Sequence, residues 1–325
     1  MTGRVDVVAS HAHFVDHLAP IWLALPPQAR GGFKTTSHPA AARARRWGIR
    51  PRRGDRANLL LVATWAEVQR SPGRRVVYVE HGAGQSYGGE PLPGAVPDPD
   101  DGCPVVLALV PSERVARRIR LHHPHADVVV CGPPRLDRWA GAQRSPSNRP
   151  CVALAWHWDS PLCDETRTAF PHWQRAVAQL PALIGRSWEI LGHGHPRAMN
   201  RLGVAYRSCG IAPAPDPDAV FERADVLVAD NTSFLYEFAA LDRPVVLVDA
   251  PWYRRDVDHG MRFWQHADMG LRCGSGDADE LVAALAESVA ADPRAERRRQ
   301  VVSEVWGSLD GGAAQRAADA ILPLA

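Results

Sequence analysis

Lysine is nearly missing from this 325-residue chain: Lys34 stands alone among 38 basic residues, and the rest are arginine. With abundant alanine, proline and glycine, that bias reads as the mark of a GC-rich genome rather than of heat resistance or a particular task. Cysteine is scarce too. The six, at 103, 131, 151, 163, 209 and 273, include no C-x-x-C pair, which argues against a structural zinc site and a disulfide framework. Several fall in or beside apolar runs, as small buried hydrophobes in a reducing compartment do. No apolar run reaches the length of a membrane span, since Ile21-Trp22-Leu23-Ala24-Leu25 is closed off by Pro20 and Pro26. The opening Met1-Thr2-Gly3-Arg4 leads straight into an expected strand without the apolar core of a signal peptide. A cytoplasmic protein without a transmembrane segment is expected.

What is present is ordinary for a globular protein, with 46% hydrophobic and 23% charged residues. The length suits two domains better than one core. The net charge of +2 is unevenly shared: residues 1–145 hold 20 Lys+Arg against 12 Asp+Glu, and residues 146–325 hold 18 against 24. Apolar runs alternate with helical patterns throughout. Residues 5–9, 59–63, 76–79, 105–110 and 128–130 read as buried strands of a first half, and 151–155, 188–192, 226–229 and 245–248 as those of a second. Between the halves, residues 141–150 cluster Ser, Pro and Asn as a linker does. The expected fold is α/β, with two facing doubly wound Rossmann-like domains, 1–147 and 148–325, sharing a cleft. The last helix is a candidate to pack back on the first domain.

The stretch 222–250, ERADVLVADNTSFLYEFAALDRPVVLVDA, has the most definite pattern. It predicts strand, tight turn, helix and strand. Asp230, Asn231, Thr232 and Ser233 supply four successive side chains able to cap a helix. Phe234, Leu235, Phe238 and Leu241 recur at helical spacing, and Arg243-Pro244 ends the run. A polar turn between a buried strand and a helix N-terminus is where open α/β sheets bind anions. Two other motifs also follow a strand directly: His81-Gly82 with Gly84, and His193-Gly194-His195-Pro196-Arg197. Histidine serves there as a base near neutral pH or as a donor to phosphate, and glycine lets a ligand approach closely.

These motifs carry a resemblance. EHGAGQ, GPPRLD, the histidine-proline pair of GHGHPR and the 224–250 stretch occur in the order found in the CDP-glycerol glycerophosphotransferase family. That family looks like a GT-B glycosyltransferase, as do the UDP-N-acetylglucosamine 2-epimerases. The similarity covers roughly residues 76–250. The family's D-x-S-S element is matched by Asp230-Asn231-Thr232-Ser233, and the acid further along its helix by Glu237. Its His-Gly-Thr-Pro is His81-Gly82-Ala83-Gly84 in this chain. The resemblance implies a GT-B-like fold and a transferase that moves a glycerophosphate or glycosyl group from a nucleotide-diphosphate donor to a hydroxyl acceptor. The C-terminal domain would bind the donor. Thr232 and Ser233 would hold its pyrophosphate, Glu237 its ribose, and His195 the same phosphates. His81 would deprotonate the acceptor, with His13 assisting, and Arg135 and Arg197 would add positive charge against the leaving nucleotide. No D-x-D pair precedes a suitable turn, so no cofactor and no metal is expected.

Two other segments hold open alternatives. The run Ser10-His11-Ala12-His13-Phe14-Val15-Asp16-His17 is similar to the H-x-H-x-D-H form of metallo-hydrolases, one residue too long. A metal-dependent hydrolase using His11, His13, Asp16 and His17 is therefore the enzyme alternative, and a non-catalytic nucleotide-sugar binding protein is the other. Residues 41–56 are the densest basic segment, with arginines from Arg43 to Arg56 around Trp47. They read as a solvated loop, or as a contact for an anionic acceptor, nucleic acid or the inner membrane face.

Overall fold

The computed structural model describes residues 3–52, 57–83, 104–142, 148–160, 164–253 and 266–325. Gly84, Arg53 and Arg56, with most of the expected loop after His81, lie outside them. The chain divides into two compact units, Met1–Gly141 with Ser303–Ala325, and Ala142–Val302. No helix among the described residues is long and apolar enough to cross a membrane.

Unit 1 holds a six-stranded parallel sheet: β1 (Val5–Ala9), β2 (Arg30–Thr35), β3 (Leu59–Val62), β4 (Arg75–Val79), β5 (Val105–Val110) and β6 (Asp127–Val130), in the order β2-β1-β3-β4-β5-β6. Both faces are covered, which is why the strands are apolar runs rather than alternations. In β3, Leu59 and Leu61 join one core with Val5 and Val7, while Leu60 and Val62 join another with Tyr78 and Val110. Strand order reverses between β1 and β3.

Unit 2 repeats the plan with β7 (Cys151–Trp156), β8 (Glu189–Gly194), β9 (Ala212–Pro213), β10 (Val226–Ala229), β11 (Val245–Val248) and β12 (Leu271–Cys273), in the order β12-β11-β10-β7-β8-β9. Order reverses between β7 and β10, the switch point at which such sheets open a crevice. Register aligns Ala155 with both Ala229 and His193. The residues leaving β7, β8 and β10 therefore emerge side by side.

A helix lies where a solvated loop is expected. The basic segment begins as a helix, α2 (His38–Arg46), which follows α1 (Ala12–Ala24). Ser37 caps α2 by accepting from the Ala40 amide, and Ala40, Arg43 and Ala44 are buried on its inner face. The arginine density concealed this stripe of alanines. After β8 the chain forms a helix, Met199–Ser208, that buries Leu202 and Tyr206 one turn apart. Its Gly203 weakens the helical signal. The chain ends in two helices, Ala295–Trp306 and Ala313–Ile321, parted by Gly307 and Gly311 at φ +63° and +79°.

Three aspartates organise chain turns. Asp137 receives the first amides of the Ala313–Ile321 helix, Ala313 at 3.1 Å and Ala314 at 2.7 Å. It acts as a remote N-cap. Asp242 and Asp292 have left-handed backbones, φ +54° and +41°, and both pair with the buried Arg298 guanidinium, at 3.2 and 2.7 Å. Replacing Asp137 with alanine is expected to cost about 1 kcal/mol of unfolding free energy, measured by urea denaturation. A value within about 0.2 kcal/mol of the parent would remove the capping role.

Candidate functional site

In unit 1 the strand ends gather histidines. His11 and His13 follow β1, at the start of α1, and His81 follows β4. His17 lies one turn further along α1 from His13. The His81 ring lies 6.3 Å from His13 and 6.2 Å from His17, and packs edge-on against Phe14 at 4.9 Å. Burial pushes the His17 pKa well down, and the positive charge of Arg135 with that of His81 and His13 pushes the same way. Arg135, in the short turn Pro134–Trp139, is itself buried. Burial also lowers His81, opposed by the Glu80 carboxylate and a backbone hydrogen bond with Ala63. Its Nδ1 is buried with no hydrogen-bond partner among the described residues. Gly82, buried at φ +64°, makes the turn behind it in a conformation other residues resist. The expected group of His13, His81, Gly82 and Arg135 thus lies in one unit, around His17.

That alternative's carboxylate turns elsewhere. Asp16 Oδ1 receives the Arg43 Nε at 2.5 Å and the Trp47 indole N–H at 2.9 Å. Among the described residues no three His, Cys, Asp or Glu side chains converge as a metal site. The same contacts revise the basic segment: Arg43 is buried in an ion pair, and Arg138 stacks over Trp47 at 4.9 Å. Trp47 is thus half-buried, held by Asp16 and Arg138.

In unit 2 the switch point gathers Asp230, His157, Trp158, His195 and Arg197. Asp230 is fully buried, and its carboxylate accepts from the His157 amide at 2.8 Å, the Thr168 hydroxyl at 2.9 Å and the Ala169 amide at 3.0 Å. Burial raises its pKa to about 6, against the pull of these hydrogen bonds. Asn231 donates to the Arg167 carbonyl at 3.3 Å, which Tyr253 also reaches at 2.8 Å. Expected as donor contacts, Asp230 and Asn231 are directed into the fold, where they fasten the 157–169 segment.

The helix after this turn is shorter than expected, α8 (Phe234–Ala239). Thr232 accepts from the Phe234 amide at 3.4 Å, while Ser233 is already helical and caps nothing. Six residues sum to a small dipole, which leaves the hydroxyls and the first amides as the polar groups of this turn. Glu237 is 3% exposed inside α8. His193 is a core residue whose Nδ1–H donates to the Ala214 carbonyl at 2.7 Å. His195 is half-buried, with its ring 5.5 Å from His157, and the exposed Arg197 stacks its guanidinium over Trp158 at 4.7 Å. His157 and Trp158 received no role from the sequence. The available signal was position: an apolar strand, β7, delivers them as β4 delivers His81.

Residues 165–323 match the model of the CDP-Glycerol:Poly(glycerophosphate) glycerophosphotransferase family. No curated protein sequence matches. Solved structures do: Staphylococcus aureus MnaA in its UDP co-structure (TM-score 0.65, 13% identity, covering 98% of this chain and 96% of that one). Neisseria meningitidis UDP-GlcNAc 2-epimerase bound to UDP-GlcNAc is similar at TM-score 0.60 and 11% identity, covering 98% and 100%. So is a variant of the wall teichoic acid polymerase TagF soaked with CDPG, at 0.60 and 13%, covering 98% and 88%. At such identities these likenesses show the fold, and the GT-B-like α/β class is borne out. The glycerophosphotransferase resemblance and the expectation of a transferase-like enzyme are borne out by the family match.

The Asp230 proton gives a pH signature. A carboxyl whose folded pKa lies near 6 rather than 3.8 binds its proton in the folded state first, so folding gains as pH falls from about 6 to about 4. Asp230→Asn lacks this gain. The stability gap between parent and variant is expected to widen by about 2 kcal/mol over that range, read by denaturant titration at each pH. A gap independent of pH would refute the assignment.

Proposed function

We propose that the protein transfers a glycerophosphate or glycosyl group from a nucleotide-diphosphate donor to a hydroxyl acceptor, with a histidine base and without a metal. The observation that carries this reading is the family match over residues 165–323, which spans both the histidine-proline pair and the 230–233 turn at the unit 2 switch point. Open α/β sheets bind ligands at that crevice, and the solved relatives were determined with UDP, UDP-GlcNAc and CDPG.

In this reading unit 2 takes the donor. The Thr232 and Ser233 hydroxyls and the amides at the start of α8 hold the pyrophosphate, with His195 and Arg197 contributing further donors. The Arg197 guanidinium opposes the negative charge that builds on the departing nucleotide. Glu237 is the candidate for the ribose. Unit 1 takes the acceptor. Burial lowers the His81 pKa from its ordinary value, which favours the neutral ring that can accept a proton. The acceptor oxygen forms its new bond to the donor's phosphorus or anomeric carbon. The bond to the nucleotide breaks as the acceptor proton passes to His81, and the nucleotide leaves with the electron pair. His13 and Arg135 support the acceptor side.

A thermal-shift panel of CDP-glycerol and of UDP-, GDP- and dTDP-sugars tests the donor, since a ligand of the folded state raises the melting temperature by mass action. At least one is expected to shift it, and a flat panel would sink the reading. His81→Ala is expected to lower kcat by about 10²- to 10⁴-fold with the donor shift intact. Unchanged turnover would remove the base, and binding without turnover in the parent would favour a non-catalytic nucleotide-sugar binding protein.

A further inference from the structure

His157 is held in one tautomer by its surroundings. Its Nδ1 faces two carbonyl oxygens, Trp158 at 2.8 Å and Thr166 at 3.0 Å. Carbonyls only accept, so Nδ1 carries the proton and Nε2 carries the lone pair. The backbone side is equally fixed, because the His157 amide donates to Asp230 at 2.8 Å. Burial lowers its pKa, and the charge of Arg197 adds to that effect. The neutral ring is thereby favoured, and Nε2 makes no hydrogen bond among the described residues.

His195 is the mirror case. Its Nδ1 accepts the Arg197 amide at 3.2 Å, so the proton sits on Nε2. The two rings lie 5.5 Å apart, centre to centre. One imidazole therefore offers an acceptor and its neighbour a donor, both at the carboxyl ends of adjacent strands β7 and β8. A phosphate oxygen only accepts at neutral pH and suits His195. A hydroxyl donates and suits His157. An isolated pyrophosphate would leave the His157 lone pair unanswered.

The geometry points to His157 as a specificity-determining residue that accepts a hydrogen bond from a hydroxyl of the group attached to the donor's outer phosphate, with His195 on the phosphate beside it. The inference rests on the transferase reading above. It separates a nucleotide diphosphate carrying a polyol or sugar from the bare nucleotide diphosphate.

Calorimetric titration of the full chain with CDP against CDP-glycerol, and with UDP against UDP-GlcNAc, tests it. In one pair the parent is expected to bind the linked donor more tightly. His157→Asn keeps a donor near the Nδ1 position and lacks an acceptor at Nε2, whereas His157→Gln restores an acceptor there. The Asn variant is expected to weaken the linked donor about 3- to 10-fold and leave the bare diphosphate within about twofold. The Gln variant recovers most of the loss, and His195→Ala weakens both ligands. Equal losses for linked and bare ligands in His157→Asn would overturn the inference alone, whereas a parent that binds none of the four would overturn the transferase reading as well. Nitrogen-15 chemical shifts of the parent's His157 ring give a measure independent of any variant. A proton on Nδ1 is expected, and a proton on Nε2 overturns the proposal.

Discussion

One buried carboxylate holds the unit 2 site together. Asp230 leaves the end of β10 and gathers the amides of His157 and Ala169 and the hydroxyl of Thr168. Without those donors an ionised group at zero exposure would be strongly disfavoured. Without the carboxylate, two amides and a hydroxyl would lose their partner in the interior. The dependence is mutual, and it fixes the loop after β7 relative to the turn after β10 on both sides of the topological switch. The orientation of His157, and with it the Nδ1 proton, follows from that loop.

Burial lowers the pKa of histidines in both units, and the charges that add to it differ. In unit 1, the charges of Arg135, His81 and His13 act together with burial on His17. In unit 2, burial and the Arg197 charge favour the neutral His157, although both carbonyls that fix its tautomer favour the cation. A cluster of like bases suits moving a proton. A tautomer fixed by carbonyls suits recognition, since such a ring changes its hydrogen-bonding face only by breaking two contacts.

The layout of strands was legible because buried parallel strands are continuous apolar runs, and β7, β10 and β11 fell where those runs lie. Site positions that follow strands were legible for the same reason, as with His81 and His195. The direction of side chains was not. Asp230, Asn231, Thr232 and Ser233 look equivalent in sequence, yet the first two turn inward and only the latter two remain at the turn. Nothing local distinguishes them, because the partners of Asp230 lie about sixty to seventy residues away. Asp16 is the same case. Its run reads as metal ligands until Arg43 and Trp47, which flank the end of a helix concealed by arginine, are brought beside it.

Arg298 joins two turns that are far apart in the chain. Its guanidinium serves Asp242, just beyond α8, and Asp292, before the helix that carries Arg298 itself. Each aspartate occupies a backbone region costly for a residue with a Cβ, and each is pinned there by the same cation. Neither turn can relax to an ordinary conformation without releasing its share of a charge buried at 1% exposure. Amide exchange at the two turns should therefore rise and fall as one cooperative unit, and the end of the short helix behind the 230–233 turn inherits the rigidity of a segment some fifty residues downstream.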